Sequence, residues 1–264
     1  MKILSKINWL VNHTLSGSLV LQQWLTENGI SHSLTQKYVQ SGWLKKLYNG
    51  VYYRPVANST AKPSWVEALE VLTKQSKNEV HLAGLSSLEQ QGFGHYLAFS
   101  SKSIWIGTSN QQNLPKWFKS YSDQRWVYCT NSKLNTFIDS DYISVQINGK
   151  QIKASSPELA AYEVVNAVGK HITFEHAAEL FQGLVNLSPR KVQSILTRSN
   201  AVQTNRVFLF LSHLHDHQWI KRLDESLVTL GTGKRQVVEN GKYDDRYKIT
   251  VPAKLLSTKS DIGN

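Results

Sequence analysis

Apolar positions at the start of the chain recur at helical spacing, break, and then shift to strand-like runs. Ile3, Ile7, Leu10 and Val11 predict a first helix over about Lys2 to Asn12. The polar stretch Thr14 to Ser18 interrupts it, with Ser18 a candidate N-cap for a second helix that carries Leu21, Trp24 and Leu25 on one face. Asn28-Gly29 stops that helix, since glycine tolerates the left-handed C-cap conformation, and Ile30 returns to the core. A third helix, about Leu34 to Ser41 with Ser31 or Ser33 as cap, places Leu34 and Tyr38 inward and ends at Gly42. Trp43 to Tyr48 and Val51 to Arg54 then read as two strands around Asn49-Gly50, a strong hairpin signal. The order is helix, turn, helix, wing.

Val56 to Lys62 is polar, lacks periodicity and reads as a linker. Pro63-Ser64 opens a helix with Trp65, Ala68, Leu69 and Leu72 on one face, and His81 to Gln91 reads as helical in its second half, ending at Gly92 and Gly94. Strand-like runs follow at Ser103 to Gly107, Arg125 to Cys129 and Tyr142 to Ile147, the last turning through Asn148-Gly149 into Gln151 to Ala154. Ser156-Pro157-Glu158 opens a clear helix. Three more are expected at about Phe174 to Val185, Arg190 to Arg198 and Arg206 to Trp219. A hairpin is expected around Asn240-Gly241, and the last dozen residues are expected to fray. The predicted fold class is α+β: an N-terminal winged helix-turn-helix over residues 1–58, then a larger C-terminal domain over 59–264 with a mixed β-sheet and a helical layer.

Charge sharpens the first part. The net charge of +11 favours a polyanionic partner. Between Lys2 and Lys62, seven basic residues (Lys2, Lys6, Lys37, Lys45, Lys46, Arg54, Lys62) face one acid, Glu27, so under a quarter of the chain carries +6 of that charge. The outward side of the third helix offers hydrogen-bonding groups without a carboxylate, as a helix entering the major groove requires. The expected DNA contacts are Ser33, Thr35, Gln36, Lys37 and Gln40 on that helix and Lys45, Lys46, Asn49 and Arg54 on the wing, the basic residues meeting phosphates. No apolar run approaches the roughly 18 residues of a membrane span, and the N-terminus is too polar for a signal peptide. The single Cys129 excludes an internal disulfide and a cysteine-based zinc finger. A cytoplasmic protein with no membrane partner is expected.

The segment GWLKKLYNGVYYRP, from Gly42 to Pro55, resembles the winged-helix signature of AbiEi-type antitoxins. Ser155 to Ala160 (SSPELA) resembles that family's next helix start, and Gly231 to Arg235 with Tyr247 to Pro252 resembles its C-terminal element. The pieces keep their order across nearly the whole chain. The resemblance implies two activities. The N-terminal domain would repress its own operon at promoter inverted repeats. The C-terminal domain would neutralise a nucleotidyltransferase-like toxin encoded next door, in an abortive-infection system. The family's usual neutralisation without a stable complex leaves direct toxin contact open. A monomer or weak dimer that cooperates on double-stranded DNA is expected.

Other chemistry is thin. His213 and His217 stand at a spacing that would stack them on one helix and let them share a metal, but the HExxH pattern is absent. Gly231-x-Gly233-Lys234 lacks the spacing of a phosphate loop, no nucleophile elbow occurs, and Asp244-Asp245 reads as a solvated turn rather than a carboxylate pair. No enzyme activity, metal or cofactor is expected. Arg190, Lys191, Arg198 and Arg206 form a run of cations without intervening acids, either a solvated face or a surface for toxin, RNA or flanking DNA. The alternative function is a ligand-sensing regulator with a pocket lined by Trp105, Trp117 and Trp126.

Overall fold

A computed structural model describes residues 3–76, 79–93, 103–108, 114–121, 125–130 and 133–260. It divides into two compact units. The first unit comprises residues 1–80, 112–124 and 146–152, and the second 81–111, 125–145 and 153–264.

In the first unit α1 (Ile3–His13) precedes β1 (Leu19–Leu21), α2 (Gln22–Glu27), α3 (His32–Gln40), β2 (Lys45–Tyr48), β3 (Val51–Tyr53) and α4 (Trp65–Gln75). The sheet order is β1-β3-β2, all antiparallel, with Val20 opposite Tyr52 and Lys46 opposite Tyr52 on its other side. This is the winged-helix arrangement, α+β as expected. One expectation changes. Leu19, Val20 and Leu21 form a strand, not the start of a helix, and Leu21 precedes α2 with no side-chain cap, so Ser18 caps nothing. Although β1 lies at the sheet edge, its three consecutive apolar residues are all buried, and β3 supplies their backbone partners.

The core of this unit joins Leu10, Val20, Leu25, Tyr38 and Tyr52, one each from α1, β1, α2, α3 and β3, with Ile30 and Leu44 from the connections. Two glycines set the turns. Gly29 takes φ +78 after α2, letting the Ile30 amide bond Leu25 O at 2.8 Å and driving Ile30 inward. Gly42 takes φ +79 after α3, and Leu44 N returns to Tyr38 O. Ser31 caps α3, its hydroxyl accepting from Leu34 N at 3.3 Å. Ser64 and Glu67 form a capping box at the start of α4. In the same unit Glu70 accepts from Lys74 at 2.9 Å and from Lys150.

A five-stranded sheet follows, most of whose residues are counted to the second unit. After β4 (Val80–Leu82) and α5 (Gly84–Gln90) come β5 (Ser103–Thr108), the short α6 (Lys116–Lys119, counted to the first unit), β6 (Arg125–Thr130), β7 (Tyr142–Ile147) and β8 (Lys150–Ser155). The order is β6-β5-β4-β8-β7, with β5 parallel to β6 and β4 parallel to β8. Asn148 and Gly149 both have positive φ, as the tight turn between β7 and β8 demands. The helical layer is α7 (Pro157–Asn166), α8 (Phe174–Gly183), α9 (Pro189–Arg198) and α10 (Val202–Leu214), with α7 packed against α5, α8, α9 and α10. Ser156 caps α7, as the sequence indicates, and Thr173, a good N-cap residue directly before the amphipathic run, caps α8.

Three expectations shift in this half. The fourth helix begins at Val202, not Arg206, so Asn205 and Arg206 are buried inside it. The C-terminal hairpin pairs β9 (Lys242–Asp244) with β10 (Ile249–Val251), and its turn is Asp245 to Lys248; Asn240-Gly241 precedes the hairpin instead of closing it. The stretch expected to fray holds α11 (Ala253–Ser260). Lys2 and Gly94, expected in the first helix and at the end of α5, lie outside the described residues.

Candidate nucleic-acid interface

On α3, positions 33, 36, 37 and 40 fall at helical spacings of three, four and seven and therefore share a side. Ser33, Lys37 and Gln40 are exposed, and Gln36 is half-buried. The opposite side carries Leu34 and Tyr38 into the core. Gln36 Nε2 donates to the Tyr52 hydroxyl at 3.2 Å, which fixes its side chain against the wing strand β3. A contact residue held this way loses less rotamer freedom on binding. Ser33 Oγ lies 3.0 Å from Ser31 Oγ at the helix N-terminus.

Thr35 leaves the contact set. Its side chain is 0 % exposed, and its hydroxyl donates to Ser31 O at 3.1 Å. It points into the domain and tightens the first turn of α3.

On the wing, Lys45, Lys46 and Asn49 are exposed, and neither lysine has an ion-pair partner among the described residues. Gly50 takes φ +72 at the tip. Arg54 is corrected in role. Its Nη1 donates to Val11 O at 3.2 Å and to Thr14 O, the last carbonyls of α1 and its exit. The guanidinium satisfies helix-end acceptors that would otherwise lack partners, so it braces α1 against β3. Lys6 similarly bonds Gly29 O. The cations near α3 and the wing thus separate into structural ones, Lys6 and Arg54, and three outward ones, Lys37, Lys45 and Lys46.

Trp43, expected to open the first wing strand, instead follows Gly42 in the turn between α3 and β2 and is 47 % exposed beside the lysine pair.

The clusters of the second unit resolve into structural roles. α10 ends at Leu214 and Asp216 takes φ +45, so His213 and His217 do not stack on one helix. His213 meets Glu225 at 2.7 Å, His215 meets Ala178 O at 2.8 Å and His217 meets Phe181 O at 2.6 Å. Burial lowers the pKa of His215, the backbone bond opposing and the His217 charge reinforcing that shift. Asp244 is buried and accepts from Tyr247 N at 2.7 Å, closing the β9–β10 turn; it is not solvated. Burial pushes the Cys129 thiol well up, aided by the Glu163 charge, which disfavours the thiolate.

The run of cations does not form one basic face. Arg198 makes a two-pronged pair with Asp141, Nη2 to Oδ1 at 2.7 Å and Nη1 to Oδ2 at 3.0 Å. Arg206 is 1 % exposed, and only Arg190 is fully exposed. Of the three tryptophans expected to line a pocket, Trp105 is 2 % exposed in the core of the second unit, and Trp117 is counted to the first. The second unit instead has a cleft of about 270 Å³ between Lys133, Asn166, Lys170, Gln203 and Thr204. Its deepest polar network is elsewhere. Glu163 accepts from His81 Nε2 at 3.1 Å, Gly84 N at 2.8 Å and Ser155 Oγ at 2.8 Å, and both the carboxylate and the imidazole are buried. Among the described residues no group of three His, Cys, Asp or Glu is arranged to hold a metal ion, and no helix is long and apolar enough to cross a membrane.

Comparison with solved structures finds similarity to the crystal structure of RV2827C protein from Mycobacterium tuberculosis. It is 14 % identical, with a TM-score of 0.59 over 99 % of this chain and 95 % of that one. At that identity the likeness speaks for the fold alone. Among curated proteins, none matches. Two family models match: the AbiEi antitoxin N-terminal domain over residues 3–99, and the transcriptional regulator, AbiEi antitoxin, type IV toxin-antitoxin system model over residues 101–252. Together they span nearly the whole sequence, and the chain belongs to the AbiEi family of transcriptional regulators and type IV antitoxins.

Proposed function

We propose that this antitoxin represses its own operon, binding inverted repeats in the promoter through the winged helix. The observation that carries the reading is the shared side of α3. Ser33, Gln36, Lys37 and Gln40 face outward with no carboxylate among them, next to a wing carrying Lys45, Lys46 and Asn49. In this reading α3 enters the major groove, where Gln36 and Gln40 are suited to adenine N6/N7 and Lys37 to guanine O6/N7. The wing lysines meet phosphates and set the register without reading sequence. An inverted repeat is met by two copies, as a weak dimer or as monomers cooperating on DNA.

The partner of the second function is the cognate nucleotidyltransferase-like toxin, whether neutralised by contact or without it. Gel shifts with the duplex upstream of this gene test the first half: a sequence-preferring, salt-sensitive shift is expected, and equal affinity for random DNA refutes it. Co-expression with the neighbouring toxin tests the second. Growth rescue by the full chain is expected, and continued arrest refutes the antitoxin role.

A further inference from the structure

Arg206 carries a buried positive charge with no carboxylate partner among the described residues. Its Nε donates to Leu230 O, and its Nη1 donates to Gly233 O at 2.6 Å and Lys248 O at 3.2 Å. Carbonyl dipoles satisfy those hydrogens without neutralising the charge, and a buried ion ordinarily has a counter-ion. Nη2 makes no hydrogen bond among the described residues and is not sealed from solvent.

The segment above it is Gly231-Thr232-Gly233. Gly231 has φ +60, and a Cβ there would lie 3.8 Å from Arg206 Nη2. A Cβ on Gly233 would lie 3.7 Å from Arg235 Nη1. Lys248 Nζ reaches Thr232 O at 3.5 Å, and Lys234 Nζ lies 4.8 Å from the Tyr243 ring centre. Three cations, Arg206, Arg235 and Lys248, therefore lie beside these three residues, and Lys234 follows them in sequence. Backbone bonds from Arg235 N to Lys248 O and from Thr250 N to Arg235 O fix the base of the loop against β10. Two nearby acids are engaged elsewhere: Asp244 with Tyr247 N, and Glu225 with His213, Arg246 and Tyr247. Burial first, then the charge of Arg235, lowers the pKa of Arg206, so the two guanidiniums repel when nothing lies between them.

An anion would remove that repulsion. We propose that the Gly231–Gly233 loop, with Arg206, Arg235 and Lys248, binds the phosphate group of a small phosphorylated molecule. The absence of side chains at Gly231 and Gly233 opens the backbone to close approach, and the guanidiniums supply forked donors that match a phosphate. The spacing of a P-loop is absent; here side-chain cations take the place of a helix N-terminus. Each donor lies within 4 Å of an atom of this three-residue loop or of a Cβ built on it, whereas a duplex backbone calls for cations spread along a stripe.

Calorimetric titration of the full chain with inorganic phosphate, AMP and ATP at constant ionic strength tests the site. Saturable binding is expected, and Arg235→Ala should weaken it about tenfold, the loss of one charge-assisted hydrogen bond, at unchanged melting temperature. Arg206→Gln probes the buried group; if that variant unfolds, Lys248→Ala, whose side chain is exposed, gives the second reading. Equal affinity for phosphate and nucleotides identifies phosphate as the whole ligand. Tighter nucleotide binding that Tyr243→Ala reduces adds a stacked base. Either supports the site. Three results overturn it: no saturable binding above a chloride control, binding that Arg235→Ala and Lys248→Ala both leave intact, or variants that change affinity for duplex DNA alone.

Discussion

Lys46→Ala should flatten the salt dependence of DNA binding by about 0.9 for each copy bound. On α3 and the wing three cations are outward and have no ion-pair partner among the described residues: Lys37, Lys45 and Lys46. Each neutralised phosphate contributes about −0.9 to the slope of log K against log salt, so one copy gives about −2.7 and two copies on an inverted repeat about −5.4. Raising salt from about 50 to about 200 mM should then weaken wild-type binding about 2,000-fold, and Lys46→Ala, with a slope of about −3.6, about 150-fold. Fluorescence anisotropy with a labelled operator duplex over that range reads both slopes. Arg54→Ala is the internal control, because its guanidinium is occupied by Val11 O and Thr14 O. An unchanged slope for Lys46→Ala, or equal flattening by Arg54→Ala, would refute the division between outward and structural cations.

The same geometry makes further predictions. Arg54→Ala should destabilise the first unit by about 1–3 kcal/mol, through two carbonyls left without their donor, and chemical denaturation would detect no change if the brace is unimportant. Gln36→Ala should cost about 1–3 kcal/mol at one base position and relax sequence preference there, while Thr35→Ala should leave preference unaltered; a binding-site selection that shows the reverse contradicts the α3 assignment. Glu163→Ala leaves His81, Gly84 N and Ser155 without their acceptor and should cost about 3–5 kcal/mol in urea unfolding; a neutral result would remove the network from the core. For Glu70, burial raises the pKa, but hydrogen bonds and charges from Lys150 and Lys74 outweigh it and lower the pKa overall. Its contribution is therefore full above the ordinary carboxylate pKa and lost as pH falls through the lowered value in the folded state. The melting-temperature gap between wild type and Lys150→Ala should narrow on acidification, and a gap that widens contradicts the pairing.

The wing was legible in the sequence because a strand pair with Asn49-Gly50 between them has few other conformations. The caps at Ser156 and Thr173 were legible for a similar local reason: Ser-Pro-Glu and a threonine before an amphipathic run satisfy helix ends without tertiary help. What failed to show depended on long-range partners. Leu19 to Leu21 reads as helix because Leu21, Trp24 and Leu25 keep helical spacing, yet β3 claims its backbone. Thr35 carries a polar side chain that the helix bonds to its own first turn, and composition alone cannot tell that from a base contact. Arg54 and Arg206 read as surface charge because arginine is seldom buried. Their acceptors are carbonyls at least 24 residues away, from Val11 to Arg54 and from Arg206 to Leu230, Gly233 and Lys248. The candidate interface was thus legible in its position and charge, while the roles of individual residues emerged only from packing.

A footprint on the DNA upstream of this gene tests the account most directly. With purified full-length chain it should protect two half-sites of an inverted repeat on the same face of the duplex, with protection fading as salt rises and lost in a Lys37→Ala, Lys45→Ala, Lys46→Ala triple variant. Uniform protection without half-sites, or an unchanged footprint from the triple variant, would contradict it.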